Sequence, residues 1–118
     1  MESAVRTIKK ACAGLNDTKI VVELTTVPIK TGVFLENILG PEFIVLCIPE
    51  FLVENTAVDD FSNPSNKVLI GGPNTEKGEW AKNKLLKLYS HWVAQEKIVK
   101  TDTCTAELTK LVTNCFLA

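Results

Sequence analysis

The sequence lacks most of the residues from which metal centres and phosphate-binding turns are built. It has a single histidine, and its four cysteines form no Cys-x-x-Cys pair, so no metal site is expected. No Gly-x-Gly-x-x-Gly run follows a predicted strand, so these 118 residues lack the turn that binds the pyrophosphate of a dinucleotide. The cysteines lie far apart along the chain, and we expect them to be reduced thiols.

The chain also lacks an excess of charge of one sign and any long apolar run. Its formal net charge is −1, which gives no sign of a surface for nucleic acid or anionic membranes. No apolar run approaches the about 20 residues that span a bilayer. The first residues lack the apolar core of a secretory signal. We therefore expect a cytoplasmic protein with no nucleic-acid or membrane partner.

What the sequence does contain is the alternation of elements typical of an α/β domain. The length of 118 residues, with 46% hydrophobic and 23% charged residues, fits one globular domain. Unbroken apolar runs predict strands buried on both faces, as in a parallel sheet. Helices are predicted over 3–15, 29–39, 56–61, 75–92 and from about 103, and strands over 19–23, 43–48, 68–70 and 98–99.

Helical spacing also predicts which side chains face the core. In the helix over 29–39, we expect four apolar residues to point inward: Val33, Phe34, Ile38 and Leu39. In the last helix the apolar positions recur at i, i+3, i+4, i+7 and i+8, and they are Leu108, Leu111, Val112, Cys115 and Phe116. Lys110 and Asn114 are four residues apart and share another face of this helix.

Two carboxylates follow the strand over 43–48 directly. Pro49 ends that strand, and Glu50 and Glu54 come next, beside large apolar residues. The carboxyl ends of strands are where open α/β sheets bind ligands, and an apolar setting there raises a carboxylate's pKa toward values useful for proton transfer. Two ordinary loop glutamates would give the same pattern, and the local sequence does not choose between these interpretations.

Several further stretches resemble, in order, the motifs of one enzyme family. They are Leu24-Thr25-Thr26-Val27-Pro28, Pro49-Glu50-Phe51-Leu52 with Glu54 and Thr56-Ala57, Lys67-Val68-Leu69-Ile70-Gly71-Gly72, His91-Trp92-Val93 and Glu107-Leu108-Thr109-Lys110-Leu111-Val112-Thr113-Asn114. From about Lys19 to the last residue the chain resembles the UDP-glucose and GDP-mannose dehydrogenase family, and most closely its UDP-glucose 6-dehydrogenase branch.

The resemblance implies a partial Rossmann-like domain, with a mostly parallel sheet flanked by helices. By this likeness residues 1–100 are the C-terminal half of an NAD-binding domain, and residues 101–118 begin the central helix through which the family dimerises. The full-length family is therefore expected to form a homo-oligomer.

The resemblance also implies an activity and its residues. The family oxidises UDP-glucose to UDP-glucuronate in two NAD-dependent hydride transfers, through a thioester on a cysteine. By this likeness Glu50 is the base that activates water, Thr26 helps to place that water, and Lys110 and Asn114 stabilise an oxyanion. The implied NAD-binding residues are Thr25, Thr26, Val27 and Glu54. The implied UDP-glucose-binding residues are Glu50, Phe51, Leu52, Val53, Glu54, Lys110 and Asn114.

The chain departs from the family pattern in several places. It has no cysteine in the family's Gly-Gly-Ser-Cys context, and Ile48 and Asn55 stand where the family has asparagine and glycine. We therefore expect the isolated chain to be inactive. Two other interpretations stay open, which are a GDP-mannose dehydrogenase fragment and a non-catalytic remnant that docks on a full-length homologue.

Overall fold

The computed structural model describes residues 1–51, 55–64 and 67–117, and this part of the chain has an α/β fold. The predicted helices and strands are all present in the predicted order. Their bounds are α1 Glu2–Ala11, β1 Lys19–Glu23, α2 Thr31–Leu39, β2 Phe43–Cys47, α3 Ala57–Ser62, β3 Val68–Gly72, α4 Glu76–Tyr89, the 3-10 turn Gln95–Lys97, β4 Ile98–Asp102 and α5 Thr103–Leu117. The main difference in length is α1, which ends four residues before its predicted end.

The strands form one sheet in the order β1-β2-β3-β4. Strand β1 is parallel to β2, with Lys19 opposite Phe43 and Glu23 opposite Cys47. Strand β3 is parallel to β4, and the two pairs meet through an antiparallel contact of Cys47 with Gly71. The expected mostly parallel sheet is confirmed. Because β1 and β2 are parallel, both end at the same edge, called here the carboxyl edge of β1 and β2.

Helices cover both faces of this sheet. Alternate side chains of β2 point to opposite faces, as strand geometry requires. On the α4 face the buried cluster is apolar and consists of Ile44, Leu46, Ile48, Ile70, Ala81, Leu85, Tyr89, Val93 and Ile98. On the opposite face, called the α2/α5 face, α1 and α2 pack on β2 through Val5, Leu35, Leu39, Phe43 and Val45.

The predicted inward face of α2 is partly wrong. Val33 and Phe34 are 53% and 52% exposed, whereas Leu35 and Leu39 are each 2% exposed. The start of α2 packs against α5 at Gly32, where an added Cβ would lie 2.6 Å from Cγ2 of Thr103. This close contact fixes the rotation of the helix and leaves Val33 and Phe34 in solvent.

The predicted apolar anchor of α5 is also wrong. Leu108, Val112 and Phe116 are 43%, 41% and 85% exposed, Cys115 is exposed and Leu111 is half-buried. The helix instead buries Ala106 and Glu107. It crosses the sheet at Gly71, where an added Cβ would lie 2.3 Å from the Cβ of Ala106, so the contact admits only small residues. Leu108, Val112 and Phe116 therefore face away from the sheet.

No helix in the described part of the chain is both long and apolar enough to cross a membrane. Helix α5 packs against the sheet, and the division into residues 1–100 and 101–118 stays a prediction.

Candidate functional site

The turns that follow β1 and β2 lie side by side at the carboxyl edge of these strands. The backbone N–H of Ile48 donates to the carbonyl oxygen of Glu23, 3.0 Å away, which extends the pairing just beyond β2. Thr26 follows the end of β1 by three residues, and Glu50 follows the end of β2 by three. The sheet thus brings both residues to one edge, as the parallel arrangement predicts.

Lys110 reaches this edge from α5. Its ammonium group donates a hydrogen bond to the backbone carbonyl of Glu50. The same ammonium nitrogen lies 4.8 Å from the centre of the Phe51 ring, a cation–π contact. Lys110 therefore points toward Glu50, and residues 60 positions apart in the sequence meet here.

The surroundings of Glu50 change its acidity. The side chain is partly buried, and this burial raises the pKa of the Glu50 carboxyl, while the charge of Lys110 opposes part of that rise. A carboxylate with a raised pKa is a stronger base than one in water. The edge therefore combines a candidate proton acceptor with a fixed positive charge.

The turn after β1 carries two threonine side chains, of which one is hydrogen-bonded within the chain. The Thr25 hydroxyl donates to Oε1 of Glu23, 2.7 Å away, while Thr26 is exposed and Val27 is 4% exposed. Val27 therefore anchors the turn in the core, and the Thr26 side chain is accessible at the edge.

Other predicted site residues are not brought to Glu50 in the same way. Asn114 lies one turn beyond Lys110 and is exposed, so its role stays a prediction. Leu52, Val53 and Glu54 lie outside the described residues. Ile48, one of the two positions where the chain departs from the family pattern, is 1% exposed, and its side chain packs in the cluster on the α4 face.

Sequence reasoning missed a buried polar group beneath this edge. Glu23 and Glu107 are 8% and 2% exposed, on the same face as Cys47. Burial, then Glu23 and more weakly Glu107, raise the pKa of the Cys47 thiol to about 12. Cys47 therefore stays protonated at neutral pH and is no nucleophile. A carboxylate at the end of an apolar strand run was the available signal for Glu23.

A separate cavity lies at the opposite end of β2. It has a volume of about 460 Å³ and is lined by residues that include Glu36, Phe43, Thr75 and Lys77. Burial raises the pKa of the Glu36 carboxyl, and a hydrogen bond from the backbone N–H of Val45 opposes this. None of the residues assigned to catalysis lies in this cavity's lining.

Residues 1–93 match the model of the UDP-glucose/GDP-mannose dehydrogenase family, NAD binding domain. UDP-glucose 6-dehydrogenase 1 of Arabidopsis thaliana is 46% identical over 99% of this chain and 24% of its own length. Among solved structures, a UDP-glucose dehydrogenase from Pyrobaculum islandicum superposes with a TM-score of 0.83 at 29% identity, covering 98% of this chain and 27% of that one.

A GDP-mannose dehydrogenase from Pseudomonas aeruginosa superposes with a TM-score of 0.80 at 25% identity, covering 98% of this chain and 27% of that one. The chain therefore spans about a quarter of the length of the relatives it matches.

The turn after β1 offers an exposed side chain, that of Thr26, beside the buried Val27, and contact of this turn with NAD stays a prediction. The sequence offers no glycine-rich turn for the pyrophosphate.

Proposed function

Because this chain belongs to the UDP-glucose/GDP-mannose dehydrogenase family, we propose that it is part of an NAD-dependent UDP-glucose 6-dehydrogenase. The observation that carries the proposal is the contact of Lys110 with the Glu50 loop, which places an ammonium group beside a carboxyl of raised pKa. The names of the most similar relatives support UDP-glucose rather than GDP-mannose as substrate.

The proposed chemistry assigns a task to each group at the edge. The Glu50 carboxylate takes a proton from water as the water oxygen attacks the acyl carbon of the thioester, and its raised pKa strengthens it as a base. The C–S bond of the thioester then breaks, which releases the acid and the thiolate. The Thr26 hydroxyl is accessible on the neighbouring turn and holds that water. Lys110 supplies the positive charge that stabilises the oxyanion formed in the attack, assisted by the amide of Asn114.

The full reaction needs groups beyond those of the described site. NAD, when bound, accepts the hydride from the sugar carbon, and the turn of Thr25, Thr26 and Val27 is proposed to border it. The thioester needs a reactive thiolate, and the buried Cys47 thiol, with a pKa of about 12, does not supply one. We therefore propose that this 118-residue chain alone forms no NADH from UDP-glucose and binds NAD weakly.

Two further features belong to the same proposal. Cys12, Cys47, Cys104 and Cys115 are free thiols, which suits a reducing compartment such as the cytoplasm. Leu108, Val112 and Phe116 are exposed along α5, which suits a contact between copies of the full-length protein.

The test is a chimera in which this chain replaces the matching segment of the Arabidopsis relative. NADH formation from UDP-glucose and NAD is followed by absorbance. We expect turnover, and we expect Glu50→Gln and Lys110→Ala each to lower kcat by about 100-fold or more.

The matched control is Lys100→Ala. Lys100 is also a partly exposed lysine, but its ammonium group bonds to Asn83 at 2.8 Å, away from Glu50. This substitution is expected to leave kcat unchanged. Full activity of the Lys110→Ala chimera would contradict the proposed site.

The non-catalytic alternative has its own outcome in the same system. A folded but inactive chimera, together with stable binding of the separate chain to the intact relative, would favour a docking role over an enzymatic one. Folding of the chimera is checked by its melting temperature beside that of the parent enzyme.

A further inference from the structure

One buried carboxylate links the two elements that carry the proposed site. Glu107 of α5 is 2% exposed. Its Oε2 accepts the backbone N–H of Lys30, and its Oε1 accepts the backbone N–H of Gly32, each at 2.7 Å. A buried carboxylate is costly unless its oxygens are paired, and both oxygens are paired here. Both bonds join positions at least 75 residues apart in the sequence.

The two amides that Glu107 holds belong to the start of α2. The first N–H groups of a helix have no partner within the helix, so the carboxylate satisfies donors that would otherwise be unpaired. Lys30 has φ of 74°, and among the described residues it is the one non-glycine residue with positive φ. A left-handed conformation is unfavourable for lysine and persists where surrounding contacts enforce it. Glu107 supplies such a contact.

The close approach of α2 to α5 depends on the same site. An added Cβ at Gly32 would lie 2.6 Å from Cγ2 of Thr103 and 3.3 Å from Oε1 of Glu107. Position 32 therefore admits glycine and little else unless Thr103 moves and the carboxylate of Glu107 adjusts.

The contacts of Glu107 connect the two parts of the chain that carry Thr26 and Lys110. Glu107 precedes Lys110 by three residues, so the two side chains leave neighbouring turns of α5. Lys30 follows Thr26 by four residues, and the other end of that turn is held where Thr25 donates to Glu23. One carboxylate thus ties the turn bearing Thr26 to the helix bearing Lys110.

We propose that Glu107 is a positioning residue, which fixes α5 against the turn after β1 so that Lys110 stays on the Glu50 loop beside Thr26. The roles of Lys110 and Thr26 in this statement rest on the proposed function. Glu107 itself lies beneath the edge and touches no reacting atom.

The test uses the chain itself, by NMR. In the wild-type protein, the amide protons of Lys30 and Gly32 are expected to exchange slowly although they start a helix. The ε-methylene protons of Lys110 are expected to be shifted by the ring current of Phe51, since the lysine nitrogen lies 4.8 Å from the ring centre. The first signal reports on the two hydrogen bonds that Glu107 accepts, and the second reports on the contact of Lys110 with the Glu50 loop.

Glu107→Gln disrupts this pair of hydrogen bonds with little change in the shape of the side chain. Glutamine has one acceptor oxygen, and its NH₂ group would face an N–H donor. We expect exchange at Lys30 and Gly32 to accelerate by about tenfold or more, as for loss of a charge-assisted hydrogen bond. We also expect the Lys110 signals to move to the position of a free lysine.

The matched control is Glu36→Gln. Glu36 is also a partly buried glutamate whose carboxylate accepts a backbone N–H, from Val45 at 3.3 Å, but it does not link to α5. The Lys110 signals are expected to stay in place in this variant.

Two results would overturn the proposal. One is fast exchange of the Lys30 and Gly32 amides in the wild-type chain, a measurement that needs no variant and so holds even if Glu107→Gln fails to fold. The other is an unchanged Lys110 signal in folded Glu107→Gln, which would reduce Glu107 to a helix cap. NADH formation by the chimera judges the proposed function separately, so an inactive chimera leaves this result on Glu107 intact.

Discussion

The two faces of the sheet bury different chemistry. The α4 face holds a continuous apolar cluster, in which Leu46 and Ile70 have no exposed surface. Its one buried charge among the described residues is Lys82 of α4, whose ammonium group donates to the carbonyl oxygen of Thr101 at 3.3 Å and pairs with Glu79 at 2.6 Å. The α2/α5 face is apolar near the start of β2, but toward the carboxyl edge it buries two carboxylates and a thiol, which are Glu23, Glu107 and Cys47. Buried polar groups cost stability unless they are paired. The comparison indicates that the α4 face stabilises the fold, while the α2/α5 face positions the proposed site.

The largest expected effect comes from breaking the α4 face. Leu46→Ala removes a side chain with 0% exposure from the centre of that face and leaves a cavity. We expect the free energy of unfolding to fall by about 2–5 kcal/mol, measured by urea denaturation.

The control for this substitution is Leu88→Ala on α4. Leu88 is 53% exposed, and its loss is expected to change stability by about 0.5 kcal/mol or less. Similar losses in both variants would show that the α4 face is not the stabilising layer.

The next largest expected effect is a pH-dependent gain in thermal stability when Glu50, at the carboxyl edge, is replaced by glutamine. Burial raises the pKa of Glu50 in the folded chain, so the protonated form is favoured by folding. Its stabilising contribution is fully present below the unfolded pKa and is lost as pH rises through the folded pKa. The Glu50→Gln variant is therefore expected to have a higher melting temperature than wild type at neutral pH. This gain in stability is expected to be smaller than the loss caused by Leu46→Ala.

The check is a set of thermal melts of both proteins from acidic to neutral pH. The advantage of Glu50→Gln is expected to shrink as pH falls below the ordinary carboxyl range, where both side chains are neutral. An advantage that does not depend on pH would place its cause outside the titration of Glu50.

The smallest expected effect is at the surface, on neither face of the sheet. Arg6 pairs with Glu2 at 2.7 Å, four residues earlier in α1, and both side chains are more than half exposed. We expect Arg6→Gln to lower the free energy of unfolding by about 0.5 kcal/mol or less, and by less still in high salt. A loss of the size expected for Leu46→Ala would show that α1 is held by this pair.

Much of the fold follows from the sequence. Unbroken apolar runs marked β1 and β2, and proline and glycine marked their ends. The edge that carries Thr26 and Glu50 then follows from the parallel pairing of these strands. These features depend on local patterns and on one rule of sheet geometry.

The packing of α2 and α5 could not be derived in the same way. Residues 33–35 of α2 are all apolar, so periodicity does not define its inward side, and a glycine contact with α5 decides it. In α5 the apolar stripe suggests a core face, yet the sheet accepts the small Ala106 at Gly71 and the paired carboxylate of Glu107. Helical spacing alone does not show which helix face packs against a glycine, or which acidic side chain accepts hydrogen bonds from two backbone amides.

The most direct test of the account is a map of amide chemical shifts in this chain titrated with UDP-glucose. The account predicts that the largest shifts occur at the carboxyl edge of β1 and β2, at Thr26, Phe51 and Lys110, and that Lys110→Ala abolishes them. Shifts centred instead on the cavity at the other end of β2, near Glu36 and Lys77, or shifts at the carboxyl edge that persist in Lys110→Ala, would contradict it.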